Sequence, residues 1–167
     1  MSTLTAYVEW DQDTGLYAGV VRYKDVRGIH TDGFTTEELQ KNLIEVSELY
    51  REEQILPSCE SPLKICQKQV EIADITCLPN NLDFYSMNKI LLQLHFNQVR
   101  QKGSHVFYRH PDGKITTIVH GDAPFTNSLN VRATKVQGRF LSRPLVREIL
   151  RDIDFTLEQF QKELGIN

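Results

Sequence analysis

Asp74 to Asn81 interrupts the chain: Leu78-Pro79-Asn80-Asn81 is turn chemistry with no periodicity, and the segments before and after it follow different orders. No other feature constrains the fold as much, because each side must then bury its own apolar face. Before the break, Leu4 to Trp10 and Leu16 to Tyr23 alternate around Asp11-Gln-Asp-Thr-Gly15, which predicts a hairpin. A shorter extended piece over Gly28 to Asp32 ends in Gly33. Thr35 stands three residues before Glu38 as a capping box, and Leu39, Leu43, Val46 and Tyr50 recur at helical spacing up to Pro57. After a loop carrying Pro57, Ser58, Ser61 and Pro62, the alternating stretch Lys68 to Ala73 reads as a last strand. The first half is therefore β-β-β-α-β.

After the break, Tyr85 to Leu94 puts Met87, Ile90, Leu91 and Leu94 on one helical face. Phe96 to Gln101 and His105 to His110 are extended around Gly103, and the Pro111-Asp-Gly-Lys114 turn leads into Ile115 to His120, so a three-stranded meander is expected. Phe125 to Gly138 carries no assignable pattern. Ser142 before Pro144 opens a helix with Leu145, Val146, Ile149, Leu150 and Ile153 on its buried face, and Thr156 with Gln159 caps a short terminal helix carrying Leu157, Phe160 and Leu164. The expected class is α+β in two small domains, residues 1–76 and 84–167, joined by a linker over 77–83.

The full chain of 167 residues has a formal net charge of -3, which says little until it is divided. Residues 1–83 hold seven Lys and Arg against fifteen Asp and Glu, a net of -8, and residues 84–167 hold twelve against seven, a net of +5. The halves are electrostatic complements. Arg100, Lys102, Arg109 and Lys114 gather around the predicted meander, a footprint suited to a phosphate backbone, although scattered surface cations are commonly just solvated. There is no long apolar run, and Met1 to Trp10 alternates like a strand instead of showing a basic and then apolar leader, so the expectation is a cytoplasmic protein with no membrane partner. Cys59, Cys66 and Cys77 form neither an even disulfide framework nor a metal-binding pair and are expected to be reduced.

The stretch Gln98-Val-Arg-Gln-Lys-Gly-Ser-His105-Val-Phe-Tyr-Arg-His-Pro-Asp-Gly113, with an apolar helix before it and a Thr-rich strand after it, resembles the HicA family of bacterial messenger-RNA-cleaving toxins, whose signature is the Gly103-Ser104-His105 triplet. Ser142 to Phe160 is similar to that family's C-terminal helices. In the first half, Tyr7 to Tyr17, Gly28 to Gly33, Thr35 to Tyr50 and the segment Gln69-Val-Glu-Ile-Ala73 resemble its antitoxin, HicB. The resemblance implies a fold like the double-stranded-RNA-binding domain for the second half. For the first it implies a truncated ribonuclease-H-like fold without the catalytic metal cluster. It also implies cleavage of messenger RNA without metal or cofactor by the histidine at His105, and an antitoxin half seated over that residue. Antitoxins of this family often carry a further operator-binding segment; here the chain passes straight into the toxin half, so operator-DNA binding and autorepression are in doubt. The link from Gly121 to Gln137 is longer than is usual in such toxins, and the fusion itself is unusual.

The chemistry is consistent with that resemblance. RNA carries its own nucleophile, and an imidazole titrating near neutrality suits deprotonation of a 2′-hydroxyl. Gly103 allows close approach of a phosphate at Ser104 and His105, and Arg100, Lys102, Arg109 and Lys114 supply cations. Strand alternation puts His105, Phe107 and Arg109 on one face and Val106, Tyr108 and His110 on the other. The general acid stays open among Ser104, Lys102, Tyr108 and His120, and His110 reads as a turn histidine. Asp11-x-Asp13-x-Gly15 lacks the remaining ligands of a calcium loop. Glu9, Asp11, Asp13 and Asp32 read as a solvated acidic face or as contacts to the second half, in preference to a metal site. A tether of about ten residues, at most about 33 Å long, lets the antitoxin half cover His105 in its own chain or in a swapped homo-oligomer. The main expectation is a self-inhibited endoribonuclease acting on messenger RNA. The alternatives are a non-catalytic RNA-binding or regulatory module, and a metal-dependent ribonuclease-H-like first half.

Overall fold

The structure, a computed structural model, describes residues 4–57, 63–67, 77–120 and 140–165. The predicted hairpin is formed by β1 (Leu4–Asp11) and β2 (Leu16–Arg22), and Gly15 closes its turn at φ +69°, a conformation that side chains disfavour. β3 (His30–Gly33) pairs antiparallel with β2. α1 (Thr36–Glu52) starts where the sequence predicts: the Thr35 hydroxyl accepts from the Glu38 N–H at 3.1 Å, and the Glu38 carboxylate accepts from the Phe34 N–H at 2.8 Å. Its predicted stripe of Leu39, Leu43, Val46 and Tyr50 is buried.

The sheet is completed by β4 (Leu63–Gln67), parallel to β1, in the order β3-β2-β1-β4. Sequence alternation points instead to residues 68–73, which lie outside the described residues together with the antitoxin-like segment Gln69 to Ala73. β4 is only five residues long and finds its partner through parallel pairing far away in sequence, a contact that local pattern does not encode.

In the second half α2 (Phe84–Gln93) is capped by Asp83, whose carboxylate accepts from the Ser86 N–H at 2.8 Å. The meander follows as β5 (Asn97–Lys102), β6 (His105–Arg109) and β7 (Ile115–Val119), all antiparallel. α3 (Arg143–Asp152) begins at Ser142 with Pro144 in its first turn, and α4 (Leu157–Glu163) has the full Thr156–Gln159 capping box. The long link from Gly121 to Gln137 and the unassigned stretch Phe125 to Gly138 lie outside the described residues, as does Cys59; Cys66 and Cys77 are free thiols. Among the described residues no helix is long and apolar enough to cross a membrane.

Among the described residues two apolar clusters form. One draws on Leu78, Leu82, α2, β6, β7, α3 and Phe160, the other on β1, β2, Ile29 and α1. β6 belongs to both. Val106 and Tyr108 point into the cluster of the second half, whereas Phe107 joins the first and meets Tyr50 edge to face with ring centroids 5.3 Å apart. Alternation on one five-residue strand therefore sends Phe107 across the charge boundary, where a buried aromatic contributes roughly 1.5–3 kcal/mol. The Tyr50 hydroxyl ends in a hydrogen bond with Thr117 at 3.0 Å, so the aromatic contact is closed by a satisfied polar pair.

Candidate functional site

His105 is the first residue of β6, reached through a tight turn in which Gly103 takes φ +53°. Its side chain is 0 % exposed, and both ring nitrogens are engaged by the first half. Nδ1 is 2.7 Å from a Glu45 carboxylate oxygen on α1, and Nε2 is 2.7 Å from the Thr31 hydroxyl on β3. The same Glu45 oxygen accepts the Ser104 N–H at 2.8 Å, and a Cβ added to Gly103 would overlap this carboxylate. Gly103 is thus the bare floor that lets an anion reach the Ser104 amide and the imidazole together. Burial works against the charge on Glu45. The His105 ring, the Ser104 N–H and Lys41 together outweigh that penalty and hold the carboxyl below its usual value.

The cations around this turn meet further carboxylates of α1. Lys102 bonds Glu52 and lies 3.9 Å from Glu48, and Arg100 is 3.0 Å from Glu52 and 3.2 Å from Glu53. Arg109 stands at the edge of the group, 3.9 Å from Glu53. Arg100, Lys102, Gly103, Ser104 and His105 are therefore brought to one surface, with Arg109 beside them. Lys114 is not brought there: it lies 3.1 Å from Asp112 and 3.7 Å from Asp154, at the far turn of the meander. Of the candidate general acids, Lys102 is engaged by Glu52 and Glu48, and Ser104 meets Glu45 through its backbone N–H. Tyr108 points into the opposite core and donates to Asn88 at 2.6 Å, and burial raises its phenol pKa further, so its proton is turned away from the site. His120 packs against Phe84 with ring centroids 4.3 Å apart and the rings tilted by 59°. His110 sits in the turn, its Nδ1 accepting the Asp112 N–H at 3.1 Å.

A second contact joins the halves through α3. Asp11 accepts the Arg143 backbone N–H at 2.8 Å and its guanidinium at 2.8 and 3.0 Å, and Asp13 lies 3.2 Å from the same guanidinium. The two carboxylate oxygens of Glu9 accept from Arg147 at 2.8 and 2.9 Å, and Asp32 accepts the Ser142 N–H at 3.0 Å. The acidic set of the first sheet therefore meets guanidinium groups and a backbone amide of the second half, one of the two roles its sequence suggests. Buried beside it, His30 Nε2 is 2.7 Å from Asp152, which also accepts the Thr116 hydroxyl at 2.9 Å. Burial raises the Asp152 carboxyl above its usual value, even though His30 and Thr116 pull it down.

Thr31, Glu45, His30 and Asp152 escape sequence reading. A threonine on a strand, a glutamate on an acidic helix face and a polar pair far apart in sequence carry no local signal. What the sequence does offer for Glu45 is the spacing Glu45, Glu48, Glu52, which sets three carboxylates along one side of α1.

With this geometry in place, comparison with known proteins locates the second half. Residues 87–124 match the family described as HicA toxin of bacterial toxin-antitoxin. The HicA match begins within α2 and takes in β5, β6 and β7, and it contains Gly103, Ser104 and His105. A UPF0150 protein from Thermotoga maritima is 47% identical over 49 residues, covering 29% of this chain. The chain spans 63% of the length of that relative. No solved structure matches the chain.

Proposed function

We propose that this chain is a fused toxin-antitoxin protein, in which residues 78 to 167 form a metal-independent messenger-RNA endoribonuclease and residues 1 to about 76 hold it inactive. The observation that carries the reading is the double capture of His105 by Glu45 and Thr31, together with the HicA toxin match across that residue. In the released half, His105 would take the proton of a 2′-hydroxyl as that oxygen attacks the neighbouring phosphorus and the 5′-oxygen leaves. Lys102, Arg100 and the Ser104 N–H would face the charge that develops on the phosphate. The fold expected of this half is one similar to the double-stranded-RNA-binding domain, and that of the first a truncated ribonuclease-H-like fold.

Inhibition follows from physical occupation. An imidazole with both nitrogens bonded and no exposed surface has no free lone pair or proton to offer a substrate. The contact is made within a single chain, where tethering raises the effective concentration of the inhibitor to the millimolar range for a short flexible linker. The reading also expects a soluble homo-oligomer in the cytoplasm.

The test compares growth and messenger-RNA integrity on inducing the whole chain, residues 78–167, and that fragment carrying His105→Ala. Arrest with RNA loss from the fragment alone is the expected result. A folded fragment that leaves growth and RNA untouched would reject the nuclease reading, and salt-dependent RNA binding without cleavage would then favour a non-catalytic RNA-binding module.

A further inference from the structure

The way α1 lies on the second half bears on how a substrate would lie there. Proceeding along α1, Glu45 meets the Ser104 N–H and His105, Glu48 and Glu52 meet Lys102, and Glu52 and Glu53 meet Arg100. The partners therefore run backwards along the chain from His105 to Arg100 as the carboxylates advance. From Glu45 to Glu52 the helix rises about 10 Å, the axial length of roughly three stacked nucleotides. Alternate residues of an extended strand are spaced about 6.6 Å apart, so one row of carboxylates meets one row of cations.

The contacts also differ in kind. Glu45 is held by two directional hydrogen bonds over Gly103, and its side chain is only 19% exposed. Glu48 and Glu52 are 50% and 43% exposed and face flexible cations. One position thus demands exact placement of an anion next to the imidazole, and the others ask only for negative charge.

We propose that α1 is a stand-in for the substrate's phosphodiester chain: the Glu45 carboxylate marks the pocket of the reacting phosphate, formed by the Ser104 N–H, bare Gly103 and His105 Nδ1, and the strand continues along β5 with its next phosphates on Lys102 and Arg100. The inference rests on the ribonuclease reading for the identity of the substrate, and it adds the path of the strand and the ring nitrogen that faces the phosphate. The ligand class is single-stranded RNA held by roughly three consecutive phosphates. Lys114, engaged at the opposite turn, lies off this path.

The test uses the full chain opened at its other contact by Arg143→Ala with Arg147→Ala. Those changes take the guanidinium partners from the buried Asp11 and Glu9 carboxylates, a loss felt only where the halves are docked, so they penalise docking. Binding of a 2′-O-methyl oligoribonucleotide, which cannot be cleaved, is followed by fluorescence anisotropy across a salt series. Adding Lys102→Met or Arg100→Met should weaken binding several-fold and lower the salt slope by about 0.7 each, whereas Lys114→Met should do neither. Equal losses from Lys114→Met, or none from Lys102→Met and Arg100→Met, would overturn the path.

A second measurement needs no variant: excess 2′-O-methyl RNA added to the wild-type chain should speed hydrogen exchange along residues 45–53, while the Ser104 amide, passed from the Glu45 carboxylate to a phosphate, stays protected. Unchanged exchange with RNA bound places the RNA elsewhere and rejects the proposal. Cleavage is read separately on unmodified RNA. Binding that depends on Lys102 and Arg100 without cleavage would reject the nuclease while keeping the path, and cleavage indifferent to both residues would do the reverse.

Discussion

Glu45→Gln nearly preserves the shape of the side chain but removes the charge that meets the Ser104 N–H and the His105 ring. Hydrogen bonds to a charged group are worth about 1.5–3 kcal/mol, so this substitution should lower resistance to urea by an amount in that range. Glu48→Gln should cost less than about 1 kcal/mol, since the Glu48 carboxylate is half exposed and 3.9 Å from Lys102. Equal losses from the two variants would mean that the Glu45 contact is an ordinary surface pair. The difference between them also marks what can be read at this scale. Gly103, Ser104 and His105 stand out in the sequence because the triplet resembles the HicA signature; a histidine at a strand start would otherwise read as a satisfied structural residue. Glu45 and Thr31 do not stand out, because their meaning comes entirely from residues 60 and 74 positions away.

At the scale of elements, period and capping specify most of the architecture. Thr35, Ser142 and Thr156 start their helices as predicted, and the three strands of the meander fall where alternation puts them. α3 is the instructive case. Its apolar face is plain in the sequence, but Arg143, Arg147, Glu148 and Asp152 are buried as well, because the first sheet covers the polar side of the same helix. A charged side predicts solvent by default; here it predicts a partner of opposite charge. That arrangement has a pH signature. The Asp11 carboxyl resists desolvation through its bonds to Arg143 and is held below its ordinary value of 3.8, and Glu45 is likewise held below 4.5. Depressed carboxyls stabilise the folded chain fully above their unfolded values, and that contribution disappears as pH falls through the lowered folded ones. Thermal stability should therefore decline below about pH 4.5, less steeply once Asp11→Asn removes one such group; an unchanged decline in that variant would exclude Asp11 as a source.

For the whole molecule, the charge division visible in the sequence acquires a geometry. Acidic α1 lies on basic β5, the acidic sheet lies on the arginines of α3, and between them Phe107 and Tyr50 make an apolar centre. Complementary charge of this kind fixes which surfaces meet, and the buried centre adds a non-directional attraction. The near-neutral total thus conceals two opposed surfaces, and only the division of the chain at its turn-rich break brings them into view. What the sequence could not supply was the pairing itself, since complementary charges admit many registers and only the folded surfaces select one.

The enclosure of His105 also turns that residue into a timer. An acylating reagent for imidazole nitrogens can react with exposed His95 at once, but it must wait at His105 until both bonds are broken and the halves part. His105 should be modified far more slowly than His95, and its rate should track how often the chain opens. If the two histidines react at equal rates, the closed arrangement does not persist in solution.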